Sequence, residues 1–208
     1  MTADGMTVLL SIDQPERATQ IFRRTTGLYH LAFLLPNRFD LGRVIKQLLK
    51  QEYPLQGAPD HLVSKSLYMT DTDGNGIDIY FDCNSSKWVW RNNEVVMPSE
   101  PLEADKLLEA ASESTWDGLP TATLLCHIHL HVNDMSKNLN KGLGFKVVSR
   151  YGEQASFISD GKYHDHITLN KKRDNIVFQL KAIGAMISTK RKKFVVTAPS
   201  GNRIYLSY

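Results

Sequence analysis

Apolar residues along this chain recur mainly at every second position, in short runs closed by Pro, Gly, Asn or Asp. Helical spacing appears in only a few places. Alternation predicts strands at 8–12, 28–35, 66–70, 77–81, 124–132, 145–150, 155–159, 165–169, 194–197 and 204–208. Pro36 ends the second of these, because proline cannot donate to a ladder. Asn75-Gly76, within the turn 71–76, is a strong hairpin signal between 66–70 and 77–81. Leu41, Val44, Ile45, Leu48 and Leu49 carry the 3.6-residue spacing, which predicts a helix over 41–52 with Asp40 as its N-cap. Further helices are expected at 103–111 and around 176–183, the last ended by Gly184.

Composition adds exclusions. With 208 residues, 42% hydrophobic and 23% charged, the chain reads as an ordinary globular protein able to bury a sizeable core. A net charge of +3 argues for neither nucleic acid nor an anionic membrane. The densest basic run, Lys190-Arg191-Lys192-Lys193, reads as a solvated hairpin turn. No segment approaches the roughly eighteen apolar residues of a membrane span, and no charged region leads into an apolar core near residue 1. Cys83 and Cys126 form no CxxC pair, so a reducing, cytoplasmic setting is expected, with neither a disulfide framework nor a thiolate zinc site.

The candidate chemistry sits on one predicted strand. In Cys126-His127-Ile128-His129-Leu130-His131-Val132, three histidines alternate with apolar residues, so all three share a face. Such a comb is a metal site, an acid–base group or a polar face turned to water. Strict alternation sends Cys126 and His127 to opposite faces, which argues against a Cys–His nucleophile. Asp78 and Tyr80 share a face of their strand, opposite Ile77 and Ile79, and an acid facing inward needs a cation or donors. Asp71, Asp73 and Asn75 lack the following glutamate of a calcium loop and read as turn residues. His164 reads as a solvated turn position. The tryptophans Trp88, Trp90 and Trp116 fall in a proline-bearing stretch that reads as a connector they anchor.

Segments also repeat. Gly74-Asn75-Gly76-Ile77-Asp78-Ile79-Tyr80 lines up with Gly201-Asn202-Arg203-Ile204-Tyr205-Leu206-Ser207. Tyr29-His30-Leu31 is similar to Cys126-His127-Ile128 and to His164-Asp165-His166-Ile167. A strand–helix–strands unit repeated in this way is a duplicated module.

These phrases resemble the vicinal oxygen chelate superfamily, which includes glyoxalase I, bleomycin-resistance proteins and extradiol ring-cleaving dioxygenases. Arg24 to Pro36, Asp60 to Ser64, Asp71 to Tyr80, His127 to Asp134 and Tyr163 to Asn170 are closest to catechol-2,3-dioxygenase-like proteins. The resemblance implies an α+β fold of repeated βαβββ modules that close into open mixed β-barrels. It implies a first barrel over 1–95, made of the end of module one plus module two. A connector over 96–120 and a second barrel over 121–208, from shortened modules three and four, complete the expected division. Residues 1–27 resemble the last strands of a first module. Residues 134–142 are too short for the helix expected there, and 166–194 lack a stretch of loop and strand. A missing element exposes an apolar face or an unpaired edge, so a partner subunit, as in a homo-oligomer, a rearranged barrel or a marginal fold is expected.

The resemblance also implies a divalent metal, Fe(II) or else Mn(II), held by first-strand histidines and a last-strand acid. Two imidazoles and a carboxylate take one face of an octahedral ion and leave positions for substrate oxygens and O₂. The implied ligands are His30, Asp78 and His61 in the first barrel, with His127 and His166 in the second, whose last-strand position holds Tyr205. His129 and His131 are implied to move protons or hydrogen-bond near the ion. The activity expected is ring cleavage of a small catechol-like substrate with O₂, an oxidoreductase reaction. The alternatives are a non-catalytic small-molecule-binding or resistance protein of the same fold, and another glyoxalase-type metal-dependent reaction.

Overall fold

A computed structural model describes residues 2, 4–13, 26–132 and 144–171, and the backbone of 187–190, 193–197 and 203–207. One ten-stranded mixed sheet organises most of it. In the first half, β1 (Gly27–Leu34) leads into α1 (Arg38–Lys50). Then come β2 (Leu55–Gly57), β3 (Pro59–Asp60), β4 (Ser64–Thr70) and β5 (Gly76–Asp82). Residues 90–110 carry a hairpin of β6 (Trp90–Arg91) and β7 (Glu94–Val95), then β8 (Glu100–Pro101) and α2 (Ala104–Ala110). The second half holds β9 (Leu124–Val132), β10 (Lys146–Tyr151), β11 (Ala155–Ser159) and β12 (Ile167–Lys171). Beyond them β13 (Ile187–Lys190), β14 (Lys193–Thr197) and β15 (Arg203–Ser207) pair in their own antiparallel sheet. Lys190 lies opposite Lys193, the register of a hairpin across the basic run.

The sheet order β10-β11-β12-β9-β1-β5-β4-β3-β8 exposes the duplication. In each half the first strand pairs in parallel with the last, β1 with β5 and β9 with β12, and the middle strands follow antiparallel. The halves join where β1 and β9 pair antiparallel, so the sheet runs without a break from one unit into the next. This order corrects one expectation. The strand after His166 is the last strand of the unit opened by β9, not the first of another, because β12 bonds to β9 and β11.

Alternation sorts each strand into two faces. Leu67 and Met69 of β4 and Ile77, Ile79 and Phe81 of β5 pack under α1, whose Leu41, Val44 and Ile45 meet them together with Leu107 of α2. Gly42 lets the helices touch: a Cβ there would lie 2.3 Å from the Leu107 carbonyl oxygen. The helix starts earlier than the hydrophobic spacing suggests. Asn37, not Asp40, is its N-cap, accepting from the amides of Phe39 and Asp40, while Asp40 serves in the first turn. A second apolar cluster unites Leu31, Ile128, Leu130 and Leu169 on the joined strands β1, β9 and β12. The segment 8–12, expected as a strand, does not form one. Residues 4–13 are irregular, held by Asp4 accepting from the amides of Met6 and Thr7, with Leu10 resting on that second cluster. The segments 134–142, too short for the helix that the resemblance implies, and 176–183, expected as a helix, lie outside the described residues.

Trp88 donates its indole N–H to the Cys83 carbonyl, and Arg43 sits over the ring of Trp116. The hairpin is tied to β10 by Ser149 Oγ donating to the Val95 carbonyl at 2.8 Å and by an Arg150–Glu94 ion pair.

Candidate functional site

The polar face of the curled sheet collects the chemistry-bearing residues of both halves. Opposite the apolar clusters, β4 presents Ser66 and Tyr68, β5 presents Asp78 and Tyr80, β1 presents His30, and β9 presents His127 and His129. His30 and His129 are directly opposed in the β1–β9 ladder, and their rings stack with centroids 3.8 Å apart. Potential ligand atoms of His30, His127 and His129 all lie within 4.8 Å of one another, and all three residues are buried. This is a three-nitrogen set that fits one divalent ion. His30 Nε2 supports the fit, since it is buried without a hydrogen-bond partner, an arrangement that costs energy unless something binds there.

Two β-bulges arrange this face. Between the pairs Leu28–Leu130 and His30–His129 the strand β1 carries an extra residue, Tyr29. Between Ala32–His127 and Phe33–Leu125 the extra residue is Cys126 of β9. The phase shift is visible in packing: Leu28 joins Leu31 and Phe33 on the apolar side, and Leu125 joins Ile128 and Leu130, which strict alternation forbids. The second bulge corrects the expectation that Cys126 and His127 face apart. Cys126 Sγ lies 3.6 Å from the Tyr163 hydroxyl, which bonds Tyr80 at 3.0 Å, and Tyr80 bonds His127 Nδ1 at 3.1 Å. Both side chains thus join one chain of hydroxyls, His127 at Tyr80 and Cys126 at Tyr163.

Behind the histidines runs a buried ionic chain. Asp165 places one carboxylate oxygen 3.4 Å from His129 Nε2 and the other 3.8 Å from His127 Nδ1. It also accepts from Thr168 Oγ1 and bonds His164 Nδ1, whose Nε2 bonds Asp82 at 2.8 Å. Asp82 in turn accepts from the Tyr163 hydroxyl at 2.8 Å. His164 is thus no solvated turn residue; it is 1% exposed and wedged between two carboxylates. Burial alone would lower its pKa, but Asp165 and Asp82 outweigh burial and raise it to about 9. Burial works against ionising Asp165, and the nearby His127 and His164 nonetheless hold it well below the usual carboxylate range. Asp78 goes the other way, pushed well above that range by burial and by Asp165. The two acids are thus pushed in opposite directions, Asp165 down and Asp78 up. Burial, aided by the neighbouring imidazoles, keeps His30 well below its ordinary value, and burial takes His127 down to about 3. Both are held neutral, the form that ligates metals.

The expected site residues divide accordingly. His30 and His127 come together, and His129, expected as a proton-handling neighbour, stands in the same cluster. Asp78 lies beside it, its Oδ2 3.8 Å from His127 Nε2 and its Oδ1 buried without a partner. His61 commits both ring nitrogens elsewhere, Nδ1 to the Pro98 carbonyl at 2.8 Å and Nε2 to the Tyr68 hydroxyl at 3.1 Å. His166 turns its ring to Phe145 and Tyr163. The His131 ring lies tilted against that of Tyr29 with centroids 4.5 Å apart. The side chain of Tyr205 lies outside the described residues. Sequence reasoning missed Asp165, Asp82, Tyr80 and Tyr163 as members of the site. The available signals were the shared strand face of Tyr80 with Asp78 and the density of titratable residues in Tyr163-His164-Asp165-His166.

Comparison with known proteins adds the lineage. No family model matches the chain. It is 41% identical over 176 residues to a protein of Bacillus subtilis (strain 168) named catechol-2,3-dioxygenase, a match covering 82% of this chain and 61% of the relative. Among solved structures, methylmalonyl-CoA epimerase from Mycobacterium tuberculosis is 12% identical at a TM-score of 0.41, covering 76% of this chain and 95% of that one. A hypothetical protein, BH1468 from Bacillus halodurans C-125, is 13% identical at 0.34, with 73% and 97% covered. With its duplicated strand units and its histidines on the joined first strands, the chain is similar over most of its length to this Bacillus subtilis protein, of whose own length it spans about three fifths.

Proposed function

We propose that the chain takes part in extradiol cleavage of a catechol-like ring with O₂, at a divalent metal held by His30, His127 and His129. The observation that carries the proposal is the convergence of three buried histidines from two repeated units within 4.8 Å, one of them with a buried nitrogen lacking a partner. The name of the 41% identical relative supplies the reaction class. Fe(II) is the metal proposed, with Mn(II) as the alternative, since imidazole nitrogens with nearby carboxylates suit such ions. When bound, the ion supplies Lewis acidity and a site at which two adjacent oxygens chelate.

The chain's own groups have definite tasks. Tyr80 holds His127 through Nδ1 at 3.1 Å, and ionised Asp165 faces His127 and His129, which orients both rings. Asp78, whose carboxyl burial and Asp165 push above the usual carboxylate range, has a buried oxygen free of protein partners, available to a ligand. Tyr68 lies over His30 at 5.4 Å and helps close the site against water.

Metal content tests the reading. Measured by mass spectrometry on wild type, His30→Ala, His127→Ala and His166→Ala, near-stoichiometric Fe or Mn is expected in wild type and in the His166 variant, and its loss in the other two. Oxygen uptake with catechol should follow the metal. A wild type still free of metal after anaerobic Fe(II) reconstitution overturns the proposal and leaves a small-molecule binder.

A further inference from the structure

Tyr29 occupies a position that folding alone does not explain. It is the extra residue of the β1 bulge, so it forgoes a regular place in the β1–β9 ladder. It remains 48% exposed, so it buries little in return. The neighbouring sequence is built around the bulge. Gly76 of β5 pairs with His30, and a Cβ at Gly76 would lie 2.2 Å from the Tyr29 carbonyl oxygen and 2.7 Å from His30 Cβ. The strand can carry the bulge only because residue 76 has no side chain.

The bulge puts the Tyr29 ring on the face that holds the histidines. In regular alternation Tyr29 and His30 would point apart. Here their ring centroids are 5.1 Å apart, and Tyr29 lies 4.5 Å from His131 and 6.4 Å from His129. Tyr29 and His131 form an aromatic wall at the exposed end of a set whose inner members, His30, His127 and His129, are buried. Centroid separations of roughly 4.5–7 Å are those of attractive aromatic pairs, so a planar ring lying on Tyr29 is one aromatic neighbour from the three-histidine cluster.

We infer that Tyr29, backed by His131, is the stacking platform that selects a planar aromatic ring for this site. For the identity of that ring, a catechol, the inference rests on the function proposed above. Tyr29 acts as a specificity-determining residue through its π face, and its hydroxyl is dispensable.

The test is anaerobic titration of the purified protein with nitrocatechol and with para-nitrophenol, both followed by their absorbance. Wild type is compared with Tyr29→Phe, Tyr29→Leu and Tyr29→Ala. The Phe variant should bind like wild type, while Leu and Ala should bind about tenfold more weakly, the scale of one lost aromatic pair. The Leu variant keeps apolar bulk without a π face, so it separates stacking from simple burial and from misfolding. Equal binding of nitrocatechol by all four proteins, or full binding by the Leu variant, overturns the inference while leaving the catechol reading intact. Binding of para-nitrophenol but not of nitrocatechol, still dependent on Tyr29, supports the platform and overturns the catechol reading. Binding of neither probe overturns both.

Discussion

The chain of ion pairs behind the histidines makes stability of the metal-free protein fall between about pH 6.5 and pH 9. The pKa of His164 is raised from an ordinary 6.5 to about 9, against burial, by Asp165 and Asp82. Between those values the folded state holds a proton that the unfolded state has released, so stability decreases as pH rises. A pKa difference of one between folded and unfolded chain corresponds to about 1.4 kcal/mol, and the His164 side chain is 1% exposed, so solvent screening takes little away. The full effect is about 3 kcal/mol, present below pH 6.5 and lost on passing pH 9. Asp78, raised by burial and by Asp165, pulls in the same direction, because a buried neutral acid loses stability as pH rises above its ordinary value. His127 is lowered by burial to about 3, so its cost appears only as pH falls below 6.5 and leaves this window clear. The assay is urea denaturation in the presence of a chelator from pH 6 to 9.5, for wild type and His164→Gln. Wild type should lose roughly 3 kcal/mol across the window, and the Gln variant should show a much flatter profile. Parallel profiles for the two proteins would refute the charged His164 between Asp165 and Asp82.

Other perturbations follow from packing. Gly76→Ala places a methyl against the Tyr29 carbonyl oxygen and His30 Cβ, and should cost about 1–3 kcal/mol in denaturant unfolding while lowering metal content. Leu67, 1% exposed beneath α1, should cost about 2–5 kcal/mol on truncation to Ala with little effect on metal affinity, because its strand neighbours Ser66 and Tyr68 face the site while it faces the helix. Ser149→Ala removes a buried bond to the Val95 carbonyl, and should cost about 1 kcal/mol, read as a lower midpoint at unchanged slope.

Much of the architecture was legible in the chain's own pattern. The two-residue period of β9 fixed which of its residues meet Leu31 and Leu169 and which line the site, since a strand has only two faces. The period of α1 gave Leu41, Val44 and Ile45 as its buried stripe. The kinship of Tyr29-His30 with Cys126-His127 was readable too, because a duplicated unit keeps its first strand. Tertiary structure decided the rest. Which histidines meet depends on the antiparallel joining of β1 to β9, a pairing between residues about a hundred positions apart that no local spacing encodes. The bulges at Tyr29 and Cys126 break the alternation on which face assignments rely, and they follow from long-range register and from the missing side chain of Gly76. His164 reads as a turn residue because turn chemistry favours polar side chains whether or not they are buried. Only the fold shows it and Asp165 enclosed against Asp82, His127 and His129, where charge pairing, not solvent, satisfies them.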